Sequence, residues 1–386
     1  MDAKGILFEC IKQELNEECC TLEKNNISCE QLMKLFRLSE HHDLTHIVAK
    51  VIREKISNKD IAKMYNDKFF FAIWRNEQRN YVKNQISSVF DEAKIPYIFL
   101  KGSVLCNYYP EPWMRTSCDI DVLVRQVDLN KAISVLKSEH GYSCGHKDSY
   151  DVSLYSHAGV HVELHFKLIE VSPKADKVLE QVWKRSVQKT ENSYEYIMRD
   201  DMFYFYHIAH MAKHFAHGGC GIRSFIDVWI LNNNILFDKE ERRILLEEGG
   251  VLLFAERVEE LAQVWFEKRE HDHTTRLIER YILEGGSYGN LENRILIQRS
   301  NCRNGFHYVL KRVFMPYREM KFEYSILEKI PLLLPIYWVV RWCDCLNCNR
   351  FRSAIKELQL NDKITRESQN EIEVLVKTVG LEIPNR

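Results

Sequence analysis

Apolar side chains recur every three or four residues along the first part of the chain, which is the spacing of one face of an α-helix. The series starts with Ile6 and Cys10 and continues through Leu35. The stretch 61–90 contains neither Gly nor Pro. This pattern predicts a packed helical domain over residues 1–94.

Short and nearly continuous apolar runs replace this spacing after residue 95, and such runs are typical of buried β-strands. The predicted strands cover 95–100, 120–124, 150–156 and 160–166. The segment between the last two strands contains Gly159, so we predict a tight turn there. Residues 95–200 are therefore expected to form a small α/β unit.

Helical spacing returns beyond residue 200. The predicted helices in this part cover 203–215, 222–231, 239–246 and 253–268. The polar tail after Asn361 is expected to be partly frayed. We therefore predict an α+β fold that is mostly helical, with a small mixed sheet over 95–200 between an N-terminal helical domain, 1–94, and a C-terminal helical domain, 201–386.

The composition agrees with a helical protein that has a real core. Only 15 of the 386 residues are Gly and only 8 are Pro, which is too few for the many turns of a sandwich or a propeller. With 54 Lys and Arg against 55 Asp and Glu, no overall charge draws the chain onto bulk nucleic acid or an anionic membrane. The longest apolar run, 330–340, is too short to span a bilayer. The N-terminus lacks the order of a secretory signal, so we expect a cytoplasmic location and reduced thiols.

The most informative segment is 101–124. Asp119 and Asp121 are separated by one residue on a predicted strand, so both carboxylates point to one face of the sheet. Two like charges so close together are unfavourable without a cation between them, and Mg²⁺ prefers carboxylate and phosphate oxygens. Without the ion, replacing Asp121 by Asn is expected to relieve the repulsion and to leave the protein no less stable.

Upstream of the two acids, Gly102 and Ser103 follow a predicted strand and open a predicted helix. Glycine lets the backbone approach a phosphate closely, and the first amides of a helix are free to bind one. This pair therefore predicts a phosphate-binding turn.

A third acidic residue is expected on a neighbouring strand. On the strand predicted at 160–166, the side chains of His161, Glu163 and His165 share one face, while apolar residues occupy the other. A polar face on a central strand is unusual unless it lines a site. We therefore add Glu163 to the predicted carboxylate cluster.

This layout resembles the nucleotidyltransferase superfamily with a DNA polymerase β-like core, whose signature is Gly-Ser after a strand, Asp-x-Asp on the next strand and a later carboxylate. More closely, the chain resembles an uncharacterised bacterial nucleotidyltransferase family, the fifth of the NTP-transferase families. The stretches that carry the resemblance are LKG at 100–102, YPEPWMRTSCDIDVLV at 109–124, VELHFKL at 162–168, HMAKHFAHGGCGIRSFIDVWIL at 210–231 and, more weakly, segments between 314 and 342. One departure is the spacer from Ser103 to Asp119, which is longer than in most members of the superfamily.

The resemblance implies a role for each residue of the site. Asp119 and Asp121 would bind two Mg²⁺ ions, which Mn²⁺ could replace. Glu163 would bind or activate the ion nearer the acceptor and could serve as a general base. Gly102 and Ser103 would hold the triphosphate of the donor nucleotide. The other residues expected in the nucleotide site are Lys101, Arg115, His165 and Arg223.

Four histidines, His207, His210, His214 and His217, fall on one face of a predicted helix. Three interpretations stay open, namely a zinc site through His210 and His214, ordinary packed or solvent-facing rings, and a polar face that lines the cleft near Arg223. The zinc interpretation lacks the glutamate of the zinc-protease motif.

Three cysteines, Cys343, Cys345 and Cys348, have a spacing that suggests zinc. No fourth ligand follows at a regular distance. We interpret these residues as ordinary thiols that hold no metal.

We therefore expect an enzyme, a Mg²⁺-dependent nucleotidyltransferase that moves a nucleoside monophosphate from an NTP, with ATP as the expected donor, to a hydroxyl or phosphate acceptor in a biosynthetic pathway. A small-molecule acceptor is favoured over protein or RNA. A toxin or defence enzyme that modifies tRNA or protein is an alternative with the same chemistry. A catalytically silent nucleotide-binding module is a second alternative, and the three carboxylates together speak against it.

Overall fold

A computed structural model gives the fold of the chain. It describes residues 2–16, 27–235, 238–300, 302, 305–324, 326–345 and 348–381. Helices dominate, and a five-stranded sheet lies between N-terminal and C-terminal helical segments. The predicted α+β, mostly helical class is therefore confirmed.

Four helices precede the sheet in the described part of the chain, and side-chain caps begin two of them. They are α1 (Ala3–Asn16), α2 (Cys29–His41), α3 (Thr45–Ile52) and α4 (Lys59–Glu92). Ser28 begins α2 with a capping box, in which its hydroxyl accepts from the amide of Gln31. Asn58 caps α4 by accepting from two backbone amides of the first turn. A 3₁₀ turn at Arg53–Lys55 joins α3 to α4.

The sheet is mixed. Its strands are β1 (Tyr97–Phe99), β2 (Asp119–Val124), β3 (Ser143–Lys147), β4 (Asp151–Tyr155) and β5 (His161–His165). They lie in the order β1-β2-β5-β4-β3, with β2 and β5 parallel and every other pair antiparallel. The turn between β4 and β5 contains Gly159 at a φ of +77°, a value that favours glycine. The four predicted strands and this hairpin are confirmed.

The two faces of β2 pack differently. Ile120, Val122 and Val124 pack with apolar side chains of α4 and of the helix at 129–140. Leu123 belongs to the larger core on the opposite face. Because side chains alternate along a strand, Asp119 and Asp121 share the face of Leu123.

The helices between the strands are α5 (Gly102–Leu105) and α6 (Leu129–His140), with 3₁₀ turns at Cys106–Tyr108 and Pro112–Met114.

More helices and a two-stranded ribbon follow the sheet. The ribbon consists of β6 (Ser186–Gln188) and β7 (Tyr196–Met198). The helices are α7 (Pro173–Leu179), α8 (Asp200–Ala216), α9 (Ile222–Asn234), α10 (Lys239–Glu248), α11 (Leu252–Phe266), α12 (His273–Gly285), α13 (Leu291–Ser300), α14 (Gly305–Val313), α15 (Tyr317–Glu323), α16 (Ile326–Lys329), α17 (Leu334–Cys345), α18 (Cys348–Lys363) and α19 (Arg366–Thr378). The largest buried apolar cluster draws on helices from both ends of the chain, α1 and α19 included, and on Leu123 of the sheet.

Two segments differ from the sequence-based expectation. The sequence does not predict β3, because all five of its side chains are exposed and give no apolar alternation. The expectation of a frayed tail after Asn361 is wrong, since α19 occupies much of it. Ile372 and Leu375 lie one helical turn apart and are buried in the main core.

The apolar run at 330–340 forms a 3₁₀ turn, Pro331–Leu333, and the first part of α17. Several of its side chains are exposed, Leu332 and Ile336 among them. None of the helices in the described part of the chain combines the length and the apolar character needed to cross a bilayer.

Two buried histidines are kept neutral by the fold. His42, just after α2, places Nε2 3.3 Å from the carbonyl oxygen of Leu283 on α12. Burial lowers the pKa of His42 to about 4, and the neighbouring His41 adds to this shift. In α8, burial also lowers the pKa of His207 to about 4. Unfolding exposes both rings to water, where the pKa of a histidine is about 6.5.

The fold should therefore lose stability as the pH falls from 7.5 to 5.5. In this range the unfolded chain binds protons on His42 and His207 while the folded protein does not, which costs about 1 kcal/mol for each ring. A His42→Gln variant keeps a donor for the carbonyl of Leu283 and should lose about 1 kcal/mol less than the wild type over this range. Chemical unfolding at several pH values measures the difference. His157→Gln, in an exposed turn, is the control and should follow the wild type, and a His42→Gln protein with the wild-type pH dependence would contradict the assignment.

Candidate functional site

The parallel pairing of β2 with β5 brings the predicted carboxylates together. Asp121 lies directly opposite Glu163, and Asp119 lies opposite His161. Side chains alternate along a strand, so these residues share one face of the sheet. Their ligand atoms form two groups, each with all atoms within 4.8 Å of one another, which are Asp119, His161 and Glu163, and Asp121, Glu163 and His165. Glu163 belongs to both groups.

Asp121 is a buried carboxylate, 2% exposed, with two donors on one oxygen. Its Oδ1 accepts from Lys101 Nζ and from His165 Nε2, each at 2.9 Å. Burial alone would raise the pKa of Asp121, but Lys101 and His165 hold it well below its ordinary value. Burial would lower the pKa of His165, but hydrogen bonds to Asp121 and Glu163 raise it. The repulsion expected between Asp119 and Asp121 is therefore compensated by side chains of the protein itself.

Lys101 reaches Asp121 because the backbone bends sharply after β1. Lys101 has a φ of +45°, which is rare for a residue with a side chain. The amide of the preceding residue, Leu100, donates to the carbonyl oxygen of Asp121 at 3.0 Å. Burial would lower the pKa of Lys101, but Asp121 raises it well above its ordinary value. The strained turn therefore fixes a permanent cation against the buried acid.

The other two carboxylates are more accessible. Asp119 accepts from the hydroxyl of Ser117 at 2.9 Å, and the side chain of Glu163 is 26% exposed. Among the described residues, the ion-pair partners of Glu163 are imidazole rings, with His165 Nε2 at 3.4 Å and His161 Nδ1 at 3.9 Å. Both carboxylates are therefore open to a further cation.

Gly102 lines the cavity in front of the carboxylates, and its surroundings leave no room for a side chain at this position. A Cβ at this position would lie 3.0 Å from both Cβ and Oγ of Ser117. Ser103 is buried, and its carbonyl oxygen accepts from Lys83 Nζ at 2.7 Å. It does not line the cavity in the part of the chain that the structure describes. Of the predicted phosphate-binding pair, Gly102 alone is presented to the cavity.

A buried ion pair holds the loop that leads into β2. Arg115 Nε donates to Asp227 Oδ1 on α9 at 2.7 Å, and the hydroxyl of Tyr109 donates to the same oxygen at 2.7 Å. Burial would raise the pKa of Asp227, but Arg115 and the other partners lower it. The long spacer before Asp119 is thus a loop with buried polar contacts.

Arg223, near the start of α9, holds the same loop from another side. Its Nη1 donates to Asp43 Oδ2 at 2.7 Å and to the hydroxyl and carbonyl oxygens of Thr116, each at 3.1 Å. Its guanidinium carbon lies 5.9 Å from the centre of the Tyr288 ring. Arg115 and Arg223 both line the cavity, but each already has an acidic partner.

Three of the four histidines on the predicted helical face line the cavity. These are His207, His210 and His214, whereas His217 is exposed and places Nδ1 2.7 Å from the carbonyl oxygen of Lys213. The interpretation as a polar face of the cleft therefore fits three of these residues.

Glu170 completes this side of the cavity, and the sequence reasoning missed it. It lies in the loop after β5, is 4% exposed, and has His210 Nδ1 at 3.2 Å and Lys213 Nζ at 3.6 Å. Burial alone would raise the pKa of Glu170, but His210 and Lys213 lower it to about 2. No periodic pattern marks this residue, and its only signal in the sequence is its position shortly after the polar face of β5.

The cavity has a volume of about 460 Å³ and a wall of mixed charge. The acidic residues in the wall are Asp119, Asp121, Asp148, Asp151, Glu163 and Glu170. The basic residues are Lys101, Arg115, Lys213 and Arg223. A space of this size suits a small polar ligand.

The expectation of thiols without metal near the C-terminal end stays a prediction. Cys343 is exposed and forms no disulfide. The side chains of Cys345 and Cys348 lie outside the described residues.

The contact with Lys101 reverses the stability expected for Asp121→Asn. The variant leaves Lys101 buried without its counter-ion, so the metal-free protein should lose about 3 kcal/mol of unfolding free energy. Asp119→Asn, at an accessible carboxylate with a neutral partner, should change it by less than about 0.5 kcal/mol. Lys101→Met should cost less in the Asp121→Asn background than alone, because it removes the unpaired cation. Chemical unfolding in EDTA compares these proteins, and an Asp121→Asn variant as stable as the wild type would contradict the expected loss.

A family model covers the sheet, the carboxylates and the helices around the cavity. Its description is "Uncharacterised nucleotidyltransferase", and it matches residues 28–267, which is more than half of the 386 residues. No curated protein and no solved structure matches the chain. The chain therefore belongs to this uncharacterised nucleotidyltransferase family, which the resemblance of its motifs predicts.

Proposed function

We propose that the protein transfers a nucleoside monophosphate from an NTP, with ATP as the expected donor, to a hydroxyl or phosphate acceptor in the presence of Mg²⁺. The observation that carries the proposal is the register of β2 and β5, which sets Asp121 opposite Glu163 with Asp119 on the same face. Family membership supports the class of reaction. A biosynthetic pathway is the context that we propose for it.

The donor atoms at this face fit a hard divalent cation. Carboxylate oxygens are the ligands that Mg²⁺ and Mn²⁺ prefer, and Asp119, Asp121 and Glu163 supply them within two overlapping groups. Two ions held there would polarise the reacting phosphate and stabilise charge on the attacking and leaving oxygens.

Lys101 and Gly102 are the residues that we assign to the triphosphate. Lys101 brings a permanent positive charge to the cavity wall, and Gly102 lets a nucleotide approach the backbone closely. Arg115 and Arg223 are bound to Asp227 and Asp43. We therefore assign the two arginines to holding the loop at the edge of the cavity.

The cavity favours a small acceptor over RNA or protein. Its wall carries acidic as well as basic residues, whereas a groove for nucleic acid is dominated by Lys and Arg. The formal net charge of −1 points in the same direction. The cluster of Asp119, Asp121 and Glu163 also argues against a silent module, because these acids repel a triphosphate when no cation is present.

Asp121→Asn should lower the rate of pyrophosphate release from ATP by about three orders of magnitude or more. The substitution removes an anionic ligand and charge stabilisation worth several kcal/mol, and about 1.4 kcal/mol corresponds to a factor of ten in rate. Asp128→Asn is the matched control, because Asp128 precedes α6 and is not among the described residues that line the cavity. Labelled ATP with Mg²⁺ gives the rates, and thermal melts check that each variant is folded. A folded Asp121→Asn protein with most of the wild-type rate would refute the metal assignment.

ATP should bind weakly without a divalent cation. The carboxylates repel the triphosphate until a cation lies between them, so we expect binding to be at least about tenfold tighter with Mg²⁺ than in EDTA. Glu163→Gln removes one negative charge and should tighten binding in EDTA. Calorimetry of both proteins measures the affinities, and equal wild-type affinity in the two buffers would count heavily against the proposed site.

A further inference from the structure

A chain of three side chains lies on the α8 side of the cavity, apart from the proposed metal ligands. Glu170 accepts from His210 Nδ1 at 3.2 Å, and His210 Nε2 lies 3.0 Å from His214 Nε2. All three residues line the cavity. Because His210 and His214 are one turn apart on α8, the helix itself fixes the spacing of the two rings.

The carboxylate of Glu170 sets the protonation of both rings. An ionised carboxylate only accepts hydrogen bonds, so His210 carries its proton on Nδ1. His210 Nε2 is then a lone pair and accepts from the Nε2–H of His214. The lone pair of His214 is therefore on Nδ1. In the described part of the chain this atom has no hydrogen-bond partner. It is accessible, since the buried atoms without a partner do not include it. The relay thus ends in a neutral proton acceptor.

A zinc ion between the two Nε2 atoms fits the surroundings less well. Zinc sites in proteins have three or four protein ligands, and no third His, Cys, Asp or Glu joins His210 and His214 in such a group within the described residues. Lys213 Nζ, 3.6 Å from Glu170, also adds positive charge on this side of the cavity.

We propose that Glu170, His210 and His214 form a proton relay that accepts the proton of an acceptor hydroxyl, so that the acceptor is an alcohol and not a phosphate. This inference rests on the proposed nucleotidyl transfer. The acceptor O–H bond breaks and its proton moves to His214 Nδ1, while the oxygen forms a bond to the α-phosphorus of the NTP. The bond from the α-phosphorus to the bridging oxygen breaks, and pyrophosphate leaves with that electron pair. The proton on His214 then passes to solvent.

An alcohol needs such a base, whereas a phosphate does not. A hydroxyl holds its proton at neutral pH, but a phosphate monoester is already an anion, with a second pKa of about 6. A neutral imidazole oriented by a carboxylate is a well-established base for a hydroxyl. His214 is the catalytic residue of the relay, since it meets the acceptor. His210 and Glu170 are positioning residues that fix its tautomer and stabilise its protonated form.

The charges around the relay suit this role. Burial lowers the pKa of His210 and His214, and Lys101 and Lys213 lower it further, so both rings are neutral before the reaction. The negative charge of Glu170 acts to raise the pKa of both rings. The negative charge of a bound triphosphate adds to that of Glu170 and favours the protonated ring during transfer.

Transfer from α-labelled ATP with Mg²⁺ to water, glycerol and inorganic phosphate tests the relay. The wild type should transfer to water or glycerol, and His214→Gln should lower this rate by about 10²- to 10⁴-fold while changing the KM for ATP by less than about twofold. Any transfer to phosphate should be insensitive to the substitution. Added imidazole should restore part of the lost rate to His214→Gly, which a purely structural role of the ring does not explain.

His217→Gln is the matched control, because His217 lies on the same helical face but is exposed and outside the cavity lining. It should keep the wild-type rate. Any of three results overturns the relay. They are an unchanged rate in folded His214→Gln, one tightly held Zn²⁺ per wild-type chain, and a wild type that transfers the labelled group to neither water nor glycerol. An Asp121→Asn variant that keeps its rate, or ATP binding that does not depend on Mg²⁺, refutes the proposed function instead.

Nitrogen NMR of histidine-labelled protein gives a second measurement that needs no turnover. At pH 7 the wild type should show His210 protonated on Nδ1 and His214 protonated on Nε2. Glu170→Gln, whose amide both accepts and donates, should mix the two tautomers of His210. The relay is overturned if the wild type shows either ring in the opposite tautomer. It is also overturned if either ring carries both protons.

Discussion

The buried charge of Asp121 is the constraint on which the cavity depends. A carboxylate so far from water costs several kcal/mol unless cations and hydrogen bonds compensate it. Lys101 and His165 do so at 2.9 Å each, one from the turn after β1 and one from β5. The parallel register of β2 with β5 and the positive φ of Lys101 are both needed for this contact. The ion pair of Lys101 with Asp121 therefore offsets the local strain at Lys101.

The same principle of compensated burial holds the loop between α5 and β2. Asp227 is completely buried on α9, and Arg115 and Tyr109 of the loop bind it. These contacts tie the entrance of β2 to the C-terminal helices. Arg223 adds a second tie through Asp43, which lies just before α3. Helices from both ends of the chain are thus connected to the strand that carries the acids.

The strands and the three predicted carboxylates can be found in the sequence because their pattern is local. Short apolar runs identify β2 and β5, and the period-2 alternation of side chains puts Asp119 and Asp121 on one face of β2 and Glu163 on the polar face of β5. The three carboxylates meet because β2 pairs with β5, and local spacing does not determine which strands pair.

Other parts of the structure have no local pattern. Glu170 lies in an irregular loop, and only the fold brings it to His210 on α8. The partner of Arg115 is more than a hundred positions away, at Asp227. The pairing of Lys101 with Asp121 has no signal in the sequence, because it depends on a backbone turn that the residue type of Lys101 disfavours. Sequence spacing identifies residues that share a face, whereas buried charge pairs between distant segments emerge only from packing.

The distribution of these pairs also explains where the cavity can accept positive charge. Asp121, Glu170 and Asp227 each have a Lys or Arg nitrogen within 4.0 Å. For Asp119 and Glu163, no Lys or Arg nitrogen lies within that distance in the part of the chain that the structure describes, and their partners are a serine hydroxyl and two imidazoles. On the β2–β5 pair, negative charge without a Lys or Arg partner among the described residues therefore lies at Asp119 and Glu163. A cation gains most by binding beside these two carboxylates, because it meets charge that the protein has not already neutralised.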